Sequence, residues 1–100
     1  MEEKLYYLTI AGIDRYAGPG ALRPGMRLIM KKEHTNPYDD EAIRICGPEG
    51  TLYGYAANSV HSVCRGTHSA GYLQHLFEET AECIVKFVSE DFAIALMENG

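Results

Sequence analysis

A four-residue turn, Gly47-Pro48-Glu49-Gly50, parts two short runs, residues 42–46 (AIRIC) and 51–56 (TLYGYA). The first alternates apolar and polar residues and the second is rich in Tyr and Leu. Two such runs across so tight a connection form an antiparallel hairpin, which commits the middle of the chain to sheet. The flanks follow suit. Residues 4–13 (KLYYLTIAGI) read as a first strand and 27–33 (RLIMKKE) as a second. Between them Gly18-Pro19-Gly20 and Pro24-Gly25 break the chain twice. Residues 80–89 and 92–97 form a closing hairpin around Glu90-Asp91, with Ala81, Cys83, Val85 and Phe87 alternating on one face. Gly54, inside a strand, marks a bulge or a close backbone approach.

The periodicity changes between residues 58 and 77. Val60, Val63 and Cys64 fall at helical spacing with Asn58 as the expected cap, and a second short helix, residues 70–77, gathers Tyr72, Leu73, Leu76 and Phe77 on one face. The expectation is a mainly β chain, α+β by content. It has six strands with two short helices inserted after the fourth, closed as a small barrel or sandwich. One hundred residues without repeats, linkers or low-complexity stretches form a single domain, 1–100.

The three cysteines, Cys46, Cys64 and Cys83, are odd in number, lack CxxC spacing and sit among apolar neighbours. They read as small buried hydrophobes in a reducing compartment. The start, Met1-Glu2-Glu3-Lys4, is acidic where a signal peptide is basic, and no 18-residue apolar run occurs, so a cytoplasmic location and no membrane partner are expected. The sequence contains no GxSxG, P-loop or HExxH. His61, His68 and His75 are spaced by seven residues, about 10 Å along a helix, too far to share one metal ion unless the chain bends back at Arg65-Gly66, so solvent-facing or capping histidines are expected. Nothing marks an orienting group or oxyanion site for a Cys64/His68 dyad. No catalytic residue, metal or cofactor is expected.

The segment Asn36-Pro37-Tyr38-Asp39 is more informative. It sets an amide, a phenol ring and a carboxylate on a proline-stiffened loop. Asp39 in such a place either caps a turn or serves a ligand, and Tyr38 either plugs the barrel edge or stacks. Arg15, Tyr16, Arg23, Arg27, Lys31 and Lys32 precede the segment, and Arg44, Tyr53 and Tyr55 follow it. Aromatic faces beside cations suit single-stranded nucleic acid. A carboxylate among them suits a strand end, whose hydroxyl can donate to it.

The run Gly12-Ile13-Asp14-Arg15-Tyr16-Ala17-Gly18 comes first, followed by Leu22-x-x-Gly25, Leu28 and Glu33. Asn36-Pro37-Tyr38-Asp39-x-x-Ala42-Ile43-Arg44-Ile45 and Gly54-Tyr55 complete a pattern that resembles the HIRAN domain over about half the chain. The ending, Ser69-Ala70 before a short helix and a closing hairpin, is similar to small stand-alone bacterial members, so the resemblance covers essentially the whole chain. The resemblance implies an OB-like six-stranded barrel with a short helical insertion. It also implies a non-enzymatic module that recognises the free 3′-hydroxyl end of single-stranded DNA, as in fork-remodelling helicases of the Swi/Snf type. By that resemblance Asp39 accepts the hydrogen bond of the terminal hydroxyl, Tyr38 stacks on the terminal base and Asn36 helps hold the end nucleotide. Tyr55 takes a pocket position, and Arg15-Tyr16 stand where the helicases carry two adjacent tyrosines. Lys32 joins these as a DNA-binding cation. The expected setting is repair, replication restart or mobile-element biology, with a helicase or nuclease as a candidate protein partner.

The net charge of -5 excludes a non-specific coat on DNA, but its distribution is uneven. Residues 15–65 hold seven basic against five acidic side chains, and the remainder holds two against nine. The half with the Asn36–Asp39 segment is mildly basic. The acids Glu78, Glu79, Glu82, Glu90 and Asp91 supply the alternative, a protein-interaction or self-associating module on the same barrel that has lost DNA binding.

Overall fold

The computed structural model describes residues 4–98. Among these residues six strands are present: β1 (Tyr6–Ala11), β2 (Arg27–Lys32), β3 (Ile43–Cys46), β4 (Leu52–Ala56), β5 (Thr80–Val88) and β6 (Phe92–Glu98). All pairings are antiparallel, and the order β1-β4-β3-β2-β5-β6 returns to β1, closing a barrel. A short helix, α1 (Ala70–Leu73), continues as a single 3-10 turn, Gln74–Leu76. Among the described residues no helix is long and apolar enough to cross a membrane.

Inward-facing residues of every strand fill the interior: Leu8, Ile10, Leu28, Met30, Ile43, Ile45, Ala56, Cys83, Val85, Ala93 and Ala95, with Leu73 from α1. Alternation on strands delivers these side chains to one face. Cys46 and Cys83 are buried free thiols. Burial, helped by the neighbouring Cys46 and Glu82, pushes the Cys83 thiol up to about 12, which keeps it protonated and inert.

Barrel closure between β1 and β4 rests on a short seam, the pairs Ile10–Ala56 and Ala11–Tyr55. Gly54 allows it. A Cβ there would lie 2.6 Å from the Ala11 carbonyl oxygen and 2.9 Å from Ile10 Cγ2, so the expected close approach is real. A register shift between Ile45 and Cys46, opposite this region of β4, adds the bulge.

Several expectations are corrected. The first strand stops at Ala11, because Gly12 turns left-handed (φ 71°) into a 3-10 turn over Ile13–Arg15. Residues 59–64 form turns rather than a helix, and Val60 is 90% exposed. The longer stretch from Ala57 to His68, which contains these turns, packs against β1. The Ala57 N–H donates to the Thr9 carbonyl at 2.8 Å, the Cys64 N–H to Thr9 Oγ1 at 3.0 Å, and the His68 N–H to the Tyr7 carbonyl at 2.8 Å. It thereby buries Thr9 and satisfies the backbone of β1 that β4 leaves unpaired. Phe87 departs from the face of Ala81, Cys83 and Val85: a bulge at Lys86 shifts the register, so Phe87 is exposed and meets the Phe92 ring at 6.1 Å. Tyr72 likewise leaves the buried face of α1, which is held by Ala70 and Leu73.

Gly54→Ala is expected to cost about 1–3 kcal/mol, since a carbonyl oxygen held in a sheet cannot yield to the new methyl. Gly20→Ala, whose Cβ meets nothing within 4 Å, serves as the control. Urea denaturation should show a lower midpoint for the first variant and an unchanged midpoint for the second.

Candidate nucleic-acid interface

Strand register lays one row of side chains across the outside of the barrel. Lys31 of β2 pairs with Arg44 of β3, Arg44 with Tyr55 of β4, Tyr55 with Ala11 of β1, and Ala11 with Phe92 of β6. Two cations thus run into two aromatic rings separated by a small residue. Ala11, Tyr55 and Phe92 floor an open groove of about 670 Å3. The turn after β1 lines it with Arg15 and Tyr16, and the segment crossing β1 with His61, Ser62 and Cys64. The Tyr16 and Tyr55 rings meet at 6.1 Å, tilted by 52°. Asp14 and Asp91 also border the groove, so its charge is mixed.

The Tyr55 hydroxyl donates to both Glu33 carboxylate oxygens at 3.0 Å. Burial, then this hydrogen bond and the Glu33 charge, hold the phenol above its ordinary value of 10.0, against a smaller opposite pull from Arg44. The ring therefore stays neutral near physiological pH. Arg44 Nη1 lies 3.9 Å from the same carboxylate.

Glu33 also reaches the loop. Its Oε1 accepts from Asn36 Nδ2 at 2.8 Å, while Asn36 Oδ1 accepts the backbone N–H groups of Tyr38 (2.8 Å) and Asp39 (3.1 Å). Asn36 is thus the organiser of the loop, with each end of its amide engaged. Asp39 Oδ1 accepts the Glu41 N–H at 2.9 Å, so the turn-capping reading of this residue holds. Its Oδ2 accepts from Asn58 Nδ2 at 3.1 Å. Asn58, expected as a helix cap, instead bridges elements: Nδ2 also reaches Glu41 Oε1 at 3.1 Å, and Oδ1 accepts the Gly71 N–H of α1 at 2.8 Å. Gln74 Nε2 donates to the Glu41 carbonyl at 2.8 Å. The loop is fastened at both flanks, yet the Tyr38 ring is 95% exposed, so it plugs no barrel edge.

Of the expected residues, Arg15, Tyr16 and Tyr55 share the groove, and Asn36 joins Tyr55 through Glu33. Asp39 and Tyr38 stand on the fastened loop. Lys32 goes elsewhere: it shares the strand face of Leu28 and Met30, and its Nζ lies over the Phe77 ring at 5.0 Å. The acids of the alternative reading are also divided. Glu82 sits with Arg27 at 3.4 Å and Glu79 with His34 at 3.1 Å, whereas Asp91 borders the groove. Sequence reasoning missed Asn58 as a bridge and Phe92 as a floor residue. Asn58 carries no local signal, because its partner Asp39 is 19 residues away. Phe92 was visible only as a strand residue.

Comparison with known proteins bears on the chain as a whole. A family model for the HIRAN domain matches residues 4–96. The crystal structure of the HIRAN domain of human HLTF is similar, with a TM-score of 0.68 and 19% identity, over 93% of this chain and 72% of that one. A crystal structure of a protein from Lactobacillus plantarum is similar at a TM-score of 0.59 and 21% identity, over 95% of this chain and 94% of that one. No curated protein sequence matches the chain.

The Tyr55–Glu33 bond has a titration signature. By NMR, the Tyr55 ring should titrate above 10.0, and Glu33→Gln should move its midpoint down toward that value. A folded-state phenol raised above its unfolded value contributes stability that is complete below about pH 10 and is lost as pH rises through the folded midpoint. Chemical denaturation of the wild type across that range should show this loss, and Glu33→Gln should reduce it.

Proposed function

This chain belongs to the HIRAN domain family, and we propose that it is a non-enzymatic module that binds single-stranded DNA by its free 3′-hydroxyl end. The observation that carries this reading is the contrast within residues 36–41. The polar side chains of Asn36 and Asp39 are bonded into place, whereas the Tyr38 ring is 95% exposed. Ordering a loop costs about 1–2 kcal/mol per residue in backbone entropy. A loop already fastened offers its ring to a ligand without meeting that cost on binding.

The chemistry of an end follows from the neighbours. Tyr38 supplies a face for the last base. The Asp39 carboxylate uses one lone pair on each oxygen within the protein, and carboxylate oxygens have further acceptor capacity. It can accept from a terminal hydroxyl, and its charge repels a terminal phosphate or a continuing phosphodiester. Asn36 acts as a positioning residue, because its amide is spent on the loop and on Glu33. The groove of Arg15, Tyr16, Tyr55 and Phe92 then suits the nucleotide that precedes the end, with Arg15, Arg44 and Lys31 available to phosphate. The neutral Tyr55 phenol offers a ring, not a charge.

Fluorescence anisotropy of a short oligonucleotide at low salt tests this. A 3′-hydroxyl end should bind more tightly than the same strand ending in a 3′-phosphate. The expected margin is about 1 kcal/mol or more, the repulsion of two charges roughly 4 Å apart even in a water-like medium. Asp39→Ala should erase the margin, and Tyr38→Ala should weaken binding by about 1–3 kcal/mol. The salt slope should be shallow, no steeper than about -2, as two or three phosphates require. Equal affinity for both ends overturns the reading.

A further inference from the structure

A second aromatic surface lies outside the groove and has no part in the reading above. His68 stacks on Tyr72 with ring centroids 4.3 Å apart and planes 15° from parallel. Tyr6 of β1 backs them both, at 5.5 Å from His68 and 6.2 Å from Tyr72. Tyr72 remains 47% exposed. Three rings from β1, the crossing segment and α1 thus make a small platform. His68 is fixed in it by its backbone bond to Tyr7, and the Ser69 hydroxyl caps α1 by accepting from the Tyr72 N–H at 3.3 Å.

Two further observations say what such a platform meets. Residues 51–77 contain no Asp or Glu, although the chain has 14. Within this run a tight turn, closed by the Thr67 N–H donating to the Cys64 carbonyl at 3.0 Å, carries Arg65 at its exposed tip. Arg65 has no acidic partner among the described residues. Stacked rings and a free guanidinium, carried on a stretch of chain without carboxylates, are what phosphate-linked bases require. The platform is also continuous with the fastened loop. Asn58 links Asp39 to the Gly71 N–H, and Tyr72 is the next residue. Glu41, whose Oε1 lies 2.8 Å from where a Cβ on Gly71 would sit, is the acid beside this junction and is engaged by Asn58.

We propose that Tyr72, backed by His68 and Tyr6, is a second stacking site for single-stranded DNA, with Arg65 as its phosphate contact. It takes a base several nucleotides from an end held at Tyr38 and Asp39. The direction of the strand rests on the end-binding reading, but the stacking site itself does not. The outermost ring meets the base, and His68 and Tyr6 hold that ring in place.

NMR titration with two ligands of the full chain separates the two ideas: a dinucleotide with a free 3′-hydroxyl, and an eight-nucleotide strand. Backbone amides of residues 36–39 report the end site, and the ring protons of Tyr72 and His68 report the platform. The dinucleotide should shift only the first set. The longer strand should also move the Tyr72 ring protons upfield, as a stacked base requires. Tyr72→Leu should weaken binding of the longer strand about tenfold while leaving dinucleotide affinity unchanged, a loss within the range of one base–ring stack. Ring shifts without loop shifts would sustain the platform and sink end recognition. Loop shifts without ring shifts, or equal weakening of both ligands by Tyr72→Leu, would overturn the platform. Absence of both shifts would overturn both. Tyr72 ring shifts that follow protein concentration rather than oligonucleotide would assign the surface to a second copy of this chain and overturn the proposal.

Discussion

The barrel closes because position 54 has no side chain. With only two residue pairs joining β1 to β4, the two backbones must approach so closely that a single methyl would collide with the Ala11 carbonyl. Everything on the outer surface depends on that approach. It sets Tyr55, the next residue, opposite Ala11, and brings its ring to the Tyr16 ring in the turn after β1. Phe92 arrives beside them because Ala11 pairs with it on its other side. A backbone constraint inside the wall thus determines which rings share a groove.

The loop carrying Tyr38 and Asp39 depends on a second device, the Glu33 carboxylate. One acidic group receives the Tyr55 phenol from the barrel wall and the Asn36 amide from the loop, so the wall and the loop keep a fixed relation. Asn58 secures the far side against α1. Paired acids and amides of the candidate site therefore hold it in order, and the exposed Tyr38 ring stands clear of them. Under the proposed function, this division reconciles a mixed-charge groove with a polyanionic ligand met at one end.

Much of the fold was legible in the chain because turn chemistry is local. Gly47-Pro48-Glu49-Gly50 and Glu90-Asp91 placed two hairpins, and Gly54 announced the close approach. What escaped was decided at a distance. Val60, Val63 and Cys64 have helical spacing, and the Ser62 and Val63 N–H groups do donate to the Ser59 carbonyl, yet the turn stops there because the Cys64 N–H donates to Thr9 Oγ1 on β1. Phe87 obeys the alternation of its strand until the bulge at Lys86, which no residue type marks. Lys32 was grouped with the site by its charge, but strand alternation sends it toward Phe77. The loop residues of the site were visible as a pattern, while Asn58 was not, since its role depends on a partner 19 positions earlier.

The order of strands has a kinetic side. β1 holds six residue pairs with β6, from Tyr6–Met97 to Ala11–Phe92, so strands at opposite ends of the described chain form one seam of the barrel. During synthesis β1 waits, with a face of Leu8 and Ile10 uncovered, until residues 92–98 have left the ribosome. Non-local seams of this kind make folding slow relative to helical proteins of equal size. The 42–56 hairpin can form early from local contacts, but the groove, which needs both Ala11 and Phe92, is among the last features to exist.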